Sequence, residues 1–102
     1  MTTTDADDRA TTVSLELRAL ERMATVLCEY VDQLARPLRV QSHPSSRETS
    51  LQLAVFAERR DAAVRALQYA SPEPAEMRIA RLQKVVEALD CSRAFFHASH
   101  VR

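Results

Sequence analysis

With 102 residues, the chain is long enough to bury one modest hydrophobic core and too short for two. It carries 14 basic and 14 acidic residues, a balance that argues against direct nucleic-acid binding and against electrostatic docking on an anionic membrane. It contains no glycine, which counts against tight hairpins, phosphate-binding loops and dinucleotide-binding motifs. We therefore predict an all-α fold.

The N-terminal segment, MTTTDADDRA, lacks the basic and apolar regions of a secretory signal. The longest unbroken apolar run, LAVFA at residues 53–57, is far shorter than a membrane span. We predict a cytoplasmic protein in which the two cysteines are free thiols. Residues 1–10 are expected to form a flexible lead-in, and residues 11–102 a single helical domain.

The first helix is predicted over about residues 12–36. Its apolar residues recur at alternating steps of four and three, the pattern of a helix packed against long neighbours. Pro37 should end it, because the residue before a proline avoids the α region. The predicted core row contains Val13, Leu17, Leu20, Ala24, Leu27, Val31 and Leu34.

The second helix is predicted over about residues 46–70, after a loop with the sequence PLRVQSHPSS. Ser45 precedes Glu48 by three residues, which is the spacing of a capping box. The predicted core row contains Leu53, Phe56, Ala57, Val64 and Leu67, with Ala66 on a second apolar face behind it.

The third helix is predicted over about residues 72–98, with Ser71 as its cap and Pro72 at its first position. Arg60 and Arg93 interrupt the apolar rows, and we expect them to reach solvent or to form ion pairs at the bundle edges, with an ion pair to a partner as the alternative. Short polar connections favour antiparallel neighbours, so we predict an up-down-up arrangement of three amphipathic helices. The core row of the third helix contains Ile79, Leu82, Val86, Leu89 and Phe96.

Each predicted helix also carries apolar residues outside its core row. Three helices in a small bundle cover one stripe each, and an exposed apolar patch on a monomer is a site of association. We therefore predict that a homodimer, or contact with another protein, covers the surplus. The candidate interface residues are Leu15, Met23, Val26, Tyr30, Leu51, Val55, Tyr69, Met77, Cys91 and Phe95.

The C-terminal segment CSRAFFHASHVR raises the alternative of a metal site. On one helix, the directions of the Cys91 and His97 side chains differ by about 120°. Cys91 therefore cannot join both histidines of the segment around one ion. A set of His97, His100 and His43 stays open, but a helix C-terminus also favours histidine through its dipole. We interpret the segment as a helix end.

We predict no metal, no cofactor and no catalytic residue, since no serine or cysteine lies in a recognisable nucleophile setting. A redox link between Cys28 and Cys91 stays open.

Two classes of function fit these features. The first is a regulatory binder that covers an apolar surface on another protein and blocks it, using helix anchors at three- and four-residue steps. The alternative is a bacterial secretion chaperone of the type III kind, which masks an aggregation-prone client. The two differ in the client, which is a folded domain in the first class and an unfolded segment in the second.

The segments SLELRALERMATVLCEYVDQLA and AEMRIARLQKVVEALDCSRAFF are long amphipathic helices. In its size, its helical layout and its missing export signal, the chain resembles the bacterial quorum-sensing anti-activators of the TraM and QslA kind. Those proteins bind a LuxR-type transcription factor and stop it acting on DNA. The resemblance implies a role in transcription regulation through a protein partner, and no functional residue follows from it.

Overall fold

Three α-helices follow one another along the chain in the computed structural model: α1 (Thr2–Arg39), α2 (Arg47–Gln68) and α3 (Ala75–Val101). The structure describes residues 2–40, 46–68 and 73–101, with side chains from residue 8 to residue 99 of those ranges. No residue of these ranges lies in a strand, so the predicted all-α class is confirmed. Over the same ranges, none of the helices combines the length and apolar character that a bilayer crossing requires.

The predicted core row of α1 faces the other helices. Ala24 and Val31 are fully buried. The remaining members of the row are all half-buried. The helix begins at Thr2, well before the predicted start near residue 12. Ala35, which the sequence pattern did not assign to the row, is also fully buried.

Pro37 does not end α1, and the prediction that it would is wrong. The helix continues to Arg39 with the proline inside its last turn. A proline near a helix end removes one backbone hydrogen bond, and contacts of the last turn with the core and with Asp32 offset that loss here. Leu38 packs against the core, and Arg36 and Arg39 both bind Asp32 one to two turns earlier.

The second helix begins after Ser46. The hydroxyl oxygen of Ser46 accepts a hydrogen bond of 3.2 Å from the backbone N–H of Thr49, which is the geometry of an N-cap. The predicted cap, Ser45, lies outside the described residues. Glu48 in the first turn interacts favourably with the helix dipole.

The buried face of α2 differs from the predicted row. Phe56, Ala63 and Ala66 are buried, whereas Val64 is 40% exposed. The assignments of Val64 to the core and of Ala66 to a second face are therefore wrong. One residue turns a helix by about 100°, which places Val64 about that far from Ala63 of the buried row.

The core row of α3 is confirmed. Ile79, Leu82, Leu89 and Phe96 are buried and Val86 is half-buried. The helix begins at Ala75, later than predicted, and Ser71 and Pro72 lie outside the described residues. At its start, the carbonyl of Pro74 accepts hydrogen bonds from the N–H groups of Met77 (3.1 Å) and Arg78 (3.2 Å).

All three helices contribute to one hydrophobic cluster. Phe56 and Phe96 meet in it edge to face, as aromatic pairs prefer. Cys28, Leu38 and Phe95 are among the half-buried residues that pack around it. The buried members are Val31, Ala35, Phe56, Ala63, Leu89 and Phe96.

Ser92 is a fully buried polar residue on the core side of α3. The Nη1 of Arg59 donates a hydrogen bond of 2.8 Å to its hydroxyl oxygen, which satisfies the serine and joins α2 to α3. Sequence reasoning missed this pair. The available signal was the position of Ser92, three residues after Leu89 and four before Phe96 on the core row.

Asp32 binds three arginines. Its carboxylate oxygens lie 3.3 Å from Arg36, 3.0 Å from Arg39 and 3.1 Å from Arg60. Arg60 belongs to α2, so the predicted edge ion pair of this residue is confirmed and connects α1 with α2. Partial desolvation acts to raise the pKa of Asp32, but hydrogen bonds from Arg39 and Arg36 and the charge of Arg60 outweigh it and hold the pKa below its ordinary value.

The molecule is elongated. Its radius of gyration is 17.2 Å and its longest dimension 66 Å. A compact domain of this length has a radius of gyration of about 13 Å. Along the first half of α1 and just beyond it, no side chain from residue 8 to residue 23 is buried. Val13 and Leu17 of this half lie beside Ala75 and Glu76 at the start of α3.

Candidate functional site

A stripe of apolar side chains runs along α1 on the face turned away from the core. We call Leu15, Ala19, Met23, Val26 and Tyr30 the α1 stripe. The three- and four-residue steps between them place the side chains on one side of a helix. The exposed fractions are 61% for Leu15, 48% for Met23, 56% for Val26 and 41% for Tyr30. Candidate residues that the sequence pattern selected are thus brought together on one surface.

Most of the stripe lines a groove between α1 and α3. The groove has a volume of about 1010 Å³. Its floor is apolar and is formed by Leu15, Ala19, Met23 and Val26 of the stripe, together with Leu27 of α1 and Val86 of α3. This arrangement resembles the surfaces onto which an amphipathic helix docks.

The two edges of the groove carry opposite charges. Arg18 and Arg22 line it on the α1 side, and Glu87 and Asp90 line it on the α3 side. Asp90 also accepts a hydrogen bond of 2.7 Å from Arg93, and this bond raises the pKa of the Arg93 guanidinium. Within the described part of the chain, no ion pair involves Arg18, Arg22 or Glu87. Their charges remain available to a partner.

The other candidate interface residues lie elsewhere. Leu51 and Met77 are exposed on α2 and α3, and Cys91 is exposed on α3. Val55 is half-buried. None of these four lines the groove. Tyr69 lies outside the described residues.

The sequence pattern predicted that Phe95 lies on an outer face of α3, away from the core, and this prediction is wrong. Phe95 is half-buried against the hydrophobic cluster, with its ring centroid 5.4 Å from that of Phe96 in an edge-to-face contact. A large ring reaches far from its own Cα, so a residue beside the core row still packs against the core. This contact leaves only part of Phe95 for any partner.

The described histidine and cysteine side chains do not form a metal site. Over the described residues, no three side chains of histidine, cysteine, aspartate or glutamate are placed to hold a metal ion. His97 is exposed, whereas His43 and the side chain of His100 lie outside the described residues. Cys28 and Cys91 are free thiols. Burial raises the pKa of the Cys28 thiol, and nearby Arg60 opposes that effect.

The groove has an apolar floor and charged edges, the composition of a protein–protein interface with a dry centre and a polar rim. The stripe residues of α1 form one side of the groove, and residues of α3 form the other side.

No protein-family model matches the chain, and no curated protein and no solved structure matches it either.

Proposed function

We propose that this protein is a non-enzymatic regulator that binds a protein partner, covers an apolar surface on it and thereby inhibits it. One observation carries the proposal: the α1 stripe presents large apolar side chains to solvent along one helix face. A contiguous exposed patch of this kind marks a site of interaction on a protein surface. Anchors at three- and four-residue steps are those that a helix uses to bind a partner.

The proposed partner is a LuxR-type transcription factor, which would make the chain a quorum-sensing anti-activator of the bacterial cytoplasm. The resemblance in size and helix layout to such anti-activators supports this partner. The formal net charge of zero supports action on the transcription factor instead of direct contact with DNA, because a DNA-binding surface carries a basic excess.

The proposal includes an up-down-up arrangement of the helices and a homodimer. The ion pair of 3.3 Å between Glu21 and Arg78 joins the first half of α1 to the start of α3 and supports parallel directions for these two helices. Phe56 contacts Phe96 and Arg59 contacts Ser92, so the contacts run forward along α2 and backward along α3, which supports an antiparallel α2. The exposed α1 stripe and the elongated shape support self-association.

The proposal is tested with a LuxR-type regulator from the same bacterium. Its binding to labelled operator DNA is measured by gel shift while the helical protein is titrated in. We expect the wild-type protein to release the DNA. Val26→Asp should weaken this effect at least about 30-fold, because a charge then enters the centre of the interface.

Val40→Asp is the matched control. Val40 is 77% exposed, lies just beyond the end of α1 and does not line the groove. This variant should release DNA as well as the wild type does. Equal inhibition by Val26→Asp and the wild type would remove the α1 stripe from the proposal. An undisturbed regulator, together with protection of an unfolded secreted protein from aggregation, would support the chaperone class instead.

A further inference from the structure

We infer that a second copy of this chain covers the groove between α1 and α3, with the two grooves facing each other across a two-fold axis that runs along them. Arg18 and Arg22 of each copy then face Glu87 and Asp90 of the other. The inference rests on the proposed function for the role of the α1 stripe as a binding surface, and it adds the occupant and its orientation.

The charges that line the groove are balanced. The groove has two arginines on one edge and two carboxylates on the other, on either side of an apolar floor. The surface as a whole is therefore neutral, and so is the chain. Two copies of a neutral surface approach without net repulsion, whereas a strongly charged one resists self-association.

Symmetry selects the orientation of the second copy. Two identical grooves placed face to face are related by a two-fold axis that lies either across the groove or along it. An axis across the groove sets arginine against arginine and carboxylate against carboxylate. An axis along the groove exchanges the edges, so that each arginine edge meets a carboxylate edge. The charge pattern is thus complementary to itself in one of the two orientations.

Three of the four charged residues of the groove can form this contact without losing an existing ion pair. Arg18, Arg22 and Glu87 take part in no ion pair within the described chain, and only Asp90 is engaged, by Arg93. The floor residues Leu15, Met23 and Val26 become covered by the apolar floor of the second copy. The homodimer therefore hides the α1 stripe until a protein partner displaces one copy, which couples dimer dissociation to inhibition.

The test measures the dimer dissociation constant of the full chain by sedimentation equilibrium over a range of concentrations. Arg22→Glu and Glu87→Arg should each raise this constant roughly tenfold, because each change places like charges together at two symmetry-related positions. The double variant Arg22→Glu/Glu87→Arg should return close to the wild-type value, since it only exchanges the two charges. Circular dichroism checks that all variants keep their helical content.

Glu58→Arg is the control, because Glu58 is exposed on α2 and lies outside the groove. This variant should leave the dissociation constant unchanged. The inference is overturned if neither charge reversal changes the dissociation constant, or if the double variant does not restore the wild-type value. Either result leaves the inhibition measured by gel shift unaffected. A monomer at all concentrations overturns both the inference and the proposed self-association. Inhibition that survives Val26→Asp contradicts the proposed function instead.

Discussion

Phe56 of α2 and Phe96 of α3 meet edge to face, with their ring centroids 6.0 Å apart and their planes at 77°. Both rings are fully buried. The guanidinium carbon of Arg39 lies 5.7 Å from the centroid of the Phe56 ring, so the end of α1 reaches the same point. The contact of these two rings is where the three helices meet.

Replacing Phe56 by alanine should lower the free energy of unfolding by about 3–5 kcal/mol, the range for deleting a buried aromatic side chain. Tyr30→Ala is the matched comparison, because Tyr30 is a large aromatic residue on the exposed stripe. It should cost less than about 1 kcal/mol. Urea denaturation followed by circular dichroism measures both, and similar losses for the two variants would contradict the assigned core.

Asp32→Asn should destabilise the protein by about 1–2 kcal/mol, because the amide cannot replace the charge that holds three arginines. Glu29→Gln removes an exposed carboxylate one turn earlier and should change the stability by less than about 0.5 kcal/mol. Equal effects of the two substitutions would argue against a structural role of the arginine cluster.

The contribution of Asp32 should also depend on pH. Its pKa is lower in the folded protein than its ordinary value of 3.8, so the unfolded chain takes up the proton first as the pH falls. The stabilisation is therefore complete well above pH 4 and is lost as the pH falls through the lowered pKa of the folded state. Denaturation curves of the wild type and Asp32→Asn should differ at neutral pH and converge in acid. A difference that stays constant into strong acid would contradict this.

The hydrogen bond between Arg59 and Ser92 should appear as coupling in a double-mutant cycle. Ser92→Ala, Arg59→Met and the double variant should give a coupling energy of about 1 kcal/mol, since the buried hydroxyl loses its donor. Chemical denaturation of the four proteins measures it. Additive effects would mean that the hydroxyl bonds a carbonyl of its own helix in solution.

The two thiols should differ in reactivity. Cys91 is exposed, whereas Cys28 is half-buried and has a pKa raised above its ordinary value of 9.0. The thiolate is the reactive species, so Ellman's reagent should modify Cys28 at least about tenfold more slowly than Cys91 at pH 8. The variants Cys28→Ser and Cys91→Ser isolate each thiol, and denaturant should make the two rates similar. Equal rates in the native protein would contradict the burial of Cys28.

The long, regular apolar rows of α1 and α3 predicted their buried faces correctly, because an unbroken periodicity leaves one face for the core. In α2 the pattern is weaker. Alanines occupy several faces, and the choice between Val64 and Ala66 depends on how closely α2 approaches α3. Local rules did not predict the end of α1 either, since the packing of Leu38 against the core and of Arg39 over the Phe56 ring of α2 outweighs the preference of Pro37.

The α1 stripe was predictable, and the groove was not. Side-chain spacing along one helix identifies Met23 and Val26 as neighbours, but the edge formed by Glu87 depends on the rotation of α3 relative to α1. The same limit applies to Asp32 and Arg60, which are 28 residues apart in sequence. Their pairing follows from the packing of two helices, which periodicity alone does not determine.

Because its burial is uneven, the continuous helix α1 consists of two segments whose backbone hydrogen bonds should open at different rates. Backbone amides of residues 24–39, where the buried side chains lie, should exchange their hydrogens only when the whole protein opens. Amides of residues 8–23 should exchange through small local openings. The proposed binding surface spans the boundary between these segments, so a bound chain should slow amide exchange most in the segment that was least protected before.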